Sequence, residues 1–174
     1  MRRSLVGMEP RRAIGAALVA IALAGMLGGC AATVALQPAE NAASPDCAPV
    51  SVRLPDVIGD LAARETNAQA TGAWGDPVAV VLHCGVAVPP PTAELACYTI
   101  EGVDWLVDPA DAPNFVFTTY GRDPAVSVVV DSEVASGRTA IEAVSSAVSW
   151  LPTNGRACIS VEDADLLETD DPEA

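Results

Sequence analysis

Lysine is absent from this 174-residue chain, and its nine basic residues are all arginines. They are opposed by 23 acidic residues, so the formal net charge at pH 7 is −14. A protein this acidic repels phosphate groups, which argues against a nucleic acid as its partner. The chain has one histidine, His83, so a histidine-based catalytic triad or pH-dependent switch would depend on that residue alone.

Recognisable catalytic and metal-binding motifs are also absent. The chain has no G-x-S-x-G around a serine, and no C-x-x-C pair of the kind that zinc sites and thiol oxidoreductases use. His83 lies inside an apolar run, which is more typical of a packed residue than of a general base. We therefore expect no metal and no cofactor, and we assign no catalytic residue.

Four acidic residues follow one another closely in the middle of the chain: Glu101, Asp104, Asp108 and Asp111. Paired carboxylates can cleave glycosidic bonds, and clustered ones can bind calcium. In a chain with this many acids such clustering is expected by chance, and the spacing is not that of an EF-hand loop. The cluster is therefore a weak candidate for either chemistry.

The first 30 residues have the pattern of a lipoprotein export signal. Four arginines within residues 1–12 precede the uncharged run Ala13–Gly29, which ends in Leu27-Gly28-Gly29-Cys30. This pattern resembles a lipobox, so we expect residues 1–29 to be a cleaved signal peptide and Cys30 to carry fatty acyl chains such as palmitate. The alternative is an uncleaved membrane helix, which needs ~20 apolar residues. In both cases the arginines stay inside and the remainder faces outward.

The rest of the chain divides by composition. Residues 30–46, the lipidated cysteine followed by a stretch rich in Ala, Pro, Ser and Asn, predict a flexible tether. Residues 47–161 predict one folded domain. Residues 162–174 contain seven acids and no base, which is typical of a disordered acidic tail.

Four cysteines remain once Cys30 is lipidated: Cys47, Cys84, Cys97 and Cys158. An even number in an exported domain indicates two disulfide bonds. Four cysteines allow three pairings, and their spacing does not choose among them. We expect Cys84–Cys97 within the sheet and Cys47–Cys158 joining the ends of the domain.

The periodicity of the domain predicts an α+β fold with a mostly antiparallel four- to five-stranded sheet and two helices packed on it. The expected helices are Asp56–Ala70 and Thr139–Leu151, the second with a Thr139/Glu142 capping box. The expected strands are a central Val78–Val86, a hairpin within Ala96–Val107 that turns at Glu101-Gly102, and a second hairpin of Phe115–Tyr120 with Ala125–Val130.

Candidate binding residues are Trp74, Trp105, Tyr120 and Arg122, because Trp, Tyr and Arg concentrate binding energy at interfaces. Arg122 is one of five positive charges that remain after residues 1–29 are removed, and it occupies a predicted hairpin turn. The simpler interpretation is structural, with Arg122 solvated or paired to the adjacent Asp123.

Several motifs together resemble a family of exported proteins from high-GC Gram-positive bacteria, known as domain of unknown function 3515. They are TGAWGDP (71–77), LHCGV (82–86), CYTIEGVDW (97–105), FTTYGRDPAVSVVV (117–130), the lipobox-like N-terminus and a late cysteine. The resemblance implies an envelope lipoprotein of unknown activity, and it supplies no catalytic residue.

The leading hypothesis is a lipoprotein on the outer face of the plasma membrane that binds or scaffolds an envelope protein or a cell-wall component. The competing hypothesis is a hydrolase-like envelope enzyme that uses carboxylates and Arg122. An enzyme should have a cleft where two acids and Arg122 converge. A binding domain should have an exposed aromatic patch around Trp74 or Trp105.

Replacing the expected lipidation site tests the location. In a Cys30→Ser variant the thiol that accepts the diacylglyceryl group is gone, so the protein should accumulate as an unprocessed precursor or leave the membrane fraction. Membrane fractionation and the intact mass of the chain measure this. Normal processing with unchanged membrane retention would contradict the prediction.

Overall fold

Eight strands form one antiparallel sheet in the computed structural model, which describes residues 32–159. Along the sheet the order is β1-β2-β3-β4-β8-β7-β6-β5, so two four-stranded meanders meet where β4 pairs with β8. The strands are β1 (Val57–Ile58), β2 (Leu61–Arg64), β3 (Thr71–Trp74), β4 (Val80–Val86), β5 (Ala96–Ile100), β6 (Val103–Asp108), β7 (Asn114–Tyr120) and β8 (Ala125–Asp131).

The sheet has eight strands where the sequence predicted four or five, so that expectation was wrong. The predicted central strand and the two predicted hairpins are present as β4, β5–β6 and β7–β8. The three additional strands, β1 to β3, come before β4. Two of them occupy the segment that was expected to be the helix Asp56–Ala70.

The error in that segment has a local cause. Gly59 and Asp60 form a two-residue turn that pairs Ile58 with Leu61, and Gly59 has a φ of 61°. The apolar pairs Val57-Ile58 and Leu61-Ala62 stand on either side of this turn, and their spacing also fits one face of a helix. The glycine is the feature that distinguishes a hairpin from a helix here.

Two helices flank the sheet: α1 (Cys47–Ser51) is one short turn, and α2 (Gly137–Val148) is the long helix near the C-terminus. The predicted apolar face of α2 is confirmed, because Ile141, Val144, Val148 and Leu151 are all buried. The predicted capping box is not formed. Instead the Ser136 hydroxyl accepts a hydrogen bond from the Thr139 backbone N–H, so the helix begins earlier.

The main core lies between α2 and one face of the sheet. In β8 the side chains of Val126, Val128 and Val130 are completely buried, whereas the alternating Ser127 and Val129 are only half-buried. This alternation means that the two faces of the strand have different environments. The apolar face of β8 belongs to the same buried cluster as the α2 side chains.

The structure contains two disulfides, Cys47–Cys84 and Cys97–Cys158. The presence of disulfides is confirmed, but the expected pairing was wrong. Cys84 lies in β4 and Cys97 in β5, with β8, β7 and β6 between them. Four strand spacings of ~4.8 Å place the two roughly 19 Å apart. The two cysteines also occupy opposite faces, because Cys84 pairs with the core residue Val126 while Cys97 pairs with Leu106, the neighbour of the core residue Trp105.

Residues 32–46, expected to be a flexible tether, make specific contacts with the domain. The Arg64 guanidinium donates to the Ala32 carbonyl at 2.9 Å, and the Asn41 N–H donates to the Gly85 carbonyl at 2.9 Å. Gly85 has a φ of 94° and interrupts the register of β4, which allows the backbone of residues 41–42 to pass in close contact. The packed part of the chain therefore extends N-terminally beyond Cys47. Neither helix of this described region is long and apolar enough to cross a membrane.

Peptide mapping without reduction tests the pairing. A digest should yield the linked fragments Cys47–Cys84 and Cys97–Cys158, and alkylation of the denatured, unreduced domain should label none of the four cysteines. Removing either bridge should cost up to ~4 kcal/mol of unfolding free energy, since the loops close over 37 and 61 residues. A fragment linking Cys84 to Cys97 would contradict the fold.

Candidate functional site

The turn between β7 and β8, residues 121–124, lies where three separate segments of the chain meet. The Asp123 N–H donates to the Pro152 carbonyl at 3.1 Å, and the Asn154 N–H donates to the Gly121 carbonyl at 2.9 Å. Gly121 has a φ of 81°, and a side chain there would collide with the Arg156 carbonyl. The segment after α2 is therefore held against the turn, and glycine is needed for the close approach.

A polar cleft of about 570 Å³ opens beside this turn. Asp46 and Asp123 both contribute exposed carboxylates to it. The remaining lining comes from the segment before α1, from the turn and from the segment after α2: Asn41, Ser44, Pro124, Pro152, Thr153 and Asn154. The cleft thus presents carboxylates, amides and hydroxyls, which are groups that hydrogen-bond polar ligands.

A second cleft of about 380 Å³ is also lined by Asp123 and Asn154 and adds Arg156, Val88 and Pro90. One guanidinium nitrogen of Arg156 donates to the Pro89 carbonyl at 2.8 Å. The arginine that lines a cleft together with Asp123 is therefore Arg156, a residue that the sequence analysis did not single out. We refer to the two clefts together as the turn clefts.

Arg122, a candidate binding residue in this turn, bonds to the C-terminal end of α2. Its guanidinium Nη1 donates to the Leu151 carbonyl at 2.7 Å and to the Ser149 carbonyl at 3.2 Å. These carbonyls lie just beyond α2, where a positive charge interacts favourably with the helix dipole. The side chain is thus paired within the domain, although with helix-end carbonyls rather than with Asp123. Arg122 lines neither of the turn clefts.

The other sequence candidates do not form a common surface. Trp74 and Trp105 are completely buried, so neither belongs to an exposed patch. The Trp74 indole N–H donates to the Pro55 carbonyl at 2.8 Å, whereas the Trp105 indole N–H has no partner among the described residues. Tyr120 is half-buried and lines a third groove, of about 720 Å³, next to the Cys97–Cys158 bridge.

Trp150 is the exposed tryptophan, and the sequence analysis missed it. Its side chain is 60% exposed, and the Arg53 guanidinium carbon lies 4.0 Å from the centre of its ring. Arg53 is held there by a bond to the Pro49 carbonyl, and the neighbouring Val52 is 77% exposed. The helical period could have revealed it, because in the expected helix Thr139–Leu151 Trp150 would lie about 200° around the axis from Val148.

His83 lies in β4, away from the turn clefts, and is half-buried. Burial lowers the pKa of its imidazole, and a hydrogen bond to the Gln37 backbone partly opposes this by raising the pKa. Among residues 32–159 no three His, Cys, Asp or Glu side chains are arranged to hold a metal ion.

Comparison with known proteins assigns the family. Residues 13–155 match the family described as "Protein of unknown function (DUF3515)", so the chain belongs to that family. The match agrees with the resemblance of the sequence motifs. Searches of curated proteins and of solved structures each found no match.

The anchoring of Arg122 gives a stability prediction. Arg122→Ala should lower the free energy of unfolding by about 1–3 kcal/mol, because two helix-end carbonyls lose a charged donor. The control is Arg138→Ala on α2, whose exposed ion pair with Glu142 contributes less than about 1 kcal/mol. Urea unfolding of both variants measures the difference. An Arg122 variant as stable as the wild type would refute the anchoring role.

Proposed function

We propose that the protein is a non-catalytic binding or scaffolding domain, held by lipid on Cys30 at the outer face of the plasma membrane. The N-terminal pattern of arginines, an uncharged run and a lipobox-like end supports this location. The two disulfides are compatible with it, because such bonds persist in oxidising compartments. The proposed partner is a polar component of the cell wall that is rich in hydroxyl or amide groups.

The observation that carries the binding role is the chemistry of the turn clefts. Asp46 and Asp123 provide acceptors, Arg156 provides donors, and the amides of Asn41 and Asn154 provide both. Three segments that are distant in sequence converge to build this surface. Hydroxyl and amide groups of a wall polymer can donate and accept hydrogen bonds, so they can pair with these side chains.

The enzymatic alternative is less well supported. It required two acids and Arg122 to converge, but Arg122 lines neither turn cleft, and its Nη1 donates to the Ser149 and Leu151 carbonyls instead. Asp46 and Asp123 are exposed to solvent, whereas catalytic sites generally exclude water from the reacting groups. The clefts therefore favour recognition over bond cleavage.

Sedimentation of the purified full chain with isolated cell walls tests the proposal. An Asp46→Asn/Asp123→Asn double variant should bind roughly 30-fold more weakly, because replacing a charged acceptor (about 1.5–3 kcal/mol) by a neutral one (about 0.5–1.5 kcal/mol) loses about 1 kcal/mol at each of the two sites. The matched control is Glu133→Gln, an exposed acid on the loop after β8. Both proteins should keep the wild-type melting temperature.

Equal sedimentation of the double variant and the wild type would exclude the turn clefts as the binding site. A wild-type protein that does not sediment at all would exclude the wall as the partner. Release of a cleaved wall fragment by the wild type but not by the double variant would favour the enzymatic alternative.

A further inference from the structure

One edge of the sheet lacks the protection that sheet edges usually have. Strand β5 pairs only with β6 within the described part of the chain. Its sequence, Ala-Cys-Tyr-Thr-Ile, contains no charge, proline or glycine, and its register with β6 is regular. The opposite edge is β1, which is two residues long, follows Pro55-Asp56 and ends before Gly59. Short edge strands and charged or proline-containing ones resist pairing with other chains, and β5 is neither.

The hairpin geometry indicates which backbone groups of β5 are free. Because a two-residue turn joins β5 to β6, Ile100 and Val103 form the hydrogen-bonded pair next to the turn. Tyr98 and Ala96 then also bond to β6, while the N–H and C=O groups of Cys97 and Thr99 point away from the sheet. At the C-terminal end of β5 the Ser145 hydroxyl donates a hydrogen bond to the Ile100 carbonyl at 3.4 Å. In the middle of β5, Tyr98 is 56% exposed.

We infer that β5 is a docking strand that takes an extended polypeptide segment of a partner protein as a ninth strand, and that this segment carries basic residues on both sides of an uncharged centre. Such strand addition obtains affinity from main-chain hydrogen bonds and selectivity from alternating side chains. The surface is separate from the turn clefts, so the inference stands independently of wall binding.

Charge selects the partner. Glu94 precedes β5, Glu101 lies at the hairpin tip, and both are exposed. A partner strand laid along Ala96–Ile100 has both glutamates at its ends, where Lys or Arg would pair with them. The overall charge of −14 also favours the approach of a basic segment.

The same charges disfavour two other occupants. In an antiparallel pair of two β5 strands, Glu101 of each copy would lie beside Glu94 of the other at both ends, and facing like charges destabilise a sheet. The C-terminal residues 160–174 of this chain carry seven acids and would meet the same repulsion.

Side chains on the two faces of an added strand would meet different surroundings. On the face shared with Trp105 they would lie beside the exposed ring of Tyr98. On the other face they would lie beside the groove of about 720 Å³ that is lined by Cys97, Leu95 and Ile159. The Tyr98 ring and the Leu95 and Ile159 side chains are apolar, which favours β-branched or aromatic residues at the centre of the partner segment.

A designed peptide is the probe: Lys-Lys-Val-Thr-Val-Thr-Val-Lys-Lys, labelled at one end, with the purified full chain. Fluorescence anisotropy should detect binding that weakens as salt is raised, because the flanking charges contribute. Amide hydrogen exchange should slow at Cys97 and Thr99 in the complex. A peptide of the same sequence with alternate backbone nitrogens methylated should not bind, because it cannot form the ladder.

Variants of the protein test the charge argument without altering the strand. Glu94→Gln/Glu101→Gln should weaken peptide binding roughly three- to tenfold, from two exposed ion pairs. The control is Asp111→Asn/Glu133→Gln, which removes the same number of exposed acids elsewhere and should change binding less than twofold. Both variants should retain the wild-type melting temperature, which separates lost binding from lost folding.

Four results would overturn the inference. They are equal binding of the N-methylated peptide, no protection of Cys97 and Thr99, equal losses in the two double variants, and concentration-dependent protection of β5 without peptide. The last would identify a second copy of the chain as the occupant. A protein that fails to bind walls but binds the peptide would refute the proposed function and leave this inference intact.

Discussion

The pairing of β4 with β8 is the interaction on which the rest of the structure depends. It joins two meanders that are each connected by local turns, and it is formed by strands about 45 residues apart in sequence. The buried side chains of β4 and β8 also belong to the cluster against which α2 packs. Cys84 in β4 holds α1 through the Cys47–Cys84 bridge. Loss of this pairing would separate the halves of the sheet and remove part of the surface that α2 covers.

The elements that could be predicted from sequence are those specified by neighbouring residues. The two hairpins have recognisable turn residues, and Glu101 and Gly102 have the positive φ values, 51° and 74°, that such a turn requires. The apolar face of α2 follows from helical periodicity alone. The first three strands are short, and the apolar residues on either side of the turn at Gly59 fit both a hairpin and one face of a helix. The disulfide pairing depends on which strands separate the cysteines, and sequence spacing does not contain that information.

The residues that line the turn clefts are mostly not those that the sequence analysis selected. The sequence analysis selected the turn after β7 as a candidate binding region, and Asp123 in that turn lies in both turn clefts. The partners of Arg122 could not be identified from sequence, because the Ser149 and Leu151 carbonyls are 27 and 29 residues away along the chain. The last turn of α2 has no basic residue of its own, and Arg122 from the β7–β8 turn donates to carbonyls at that end. Arg156 and Asp46 also come to the clefts from segments that lie far from Asp123 in the sequence.

The two disulfides stabilise different parts of the molecule. Cys47–Cys84 is completely buried and fixes α1 to the core. Cys97–Cys158 is half-buried and fixes the segment after α2 to the edge of the sheet, where the Cys158 N–H also donates to the Asp104 carboxylate at 2.9 Å. That segment supplies Asn154 and Arg156 to the turn clefts, and Cys97 itself lies in the docking strand β5. The Cys97–Cys158 bridge therefore holds segments of both proposed binding surfaces, whereas Cys47–Cys84 holds the core and, next to it in the chain, Asp46 of the turn clefts.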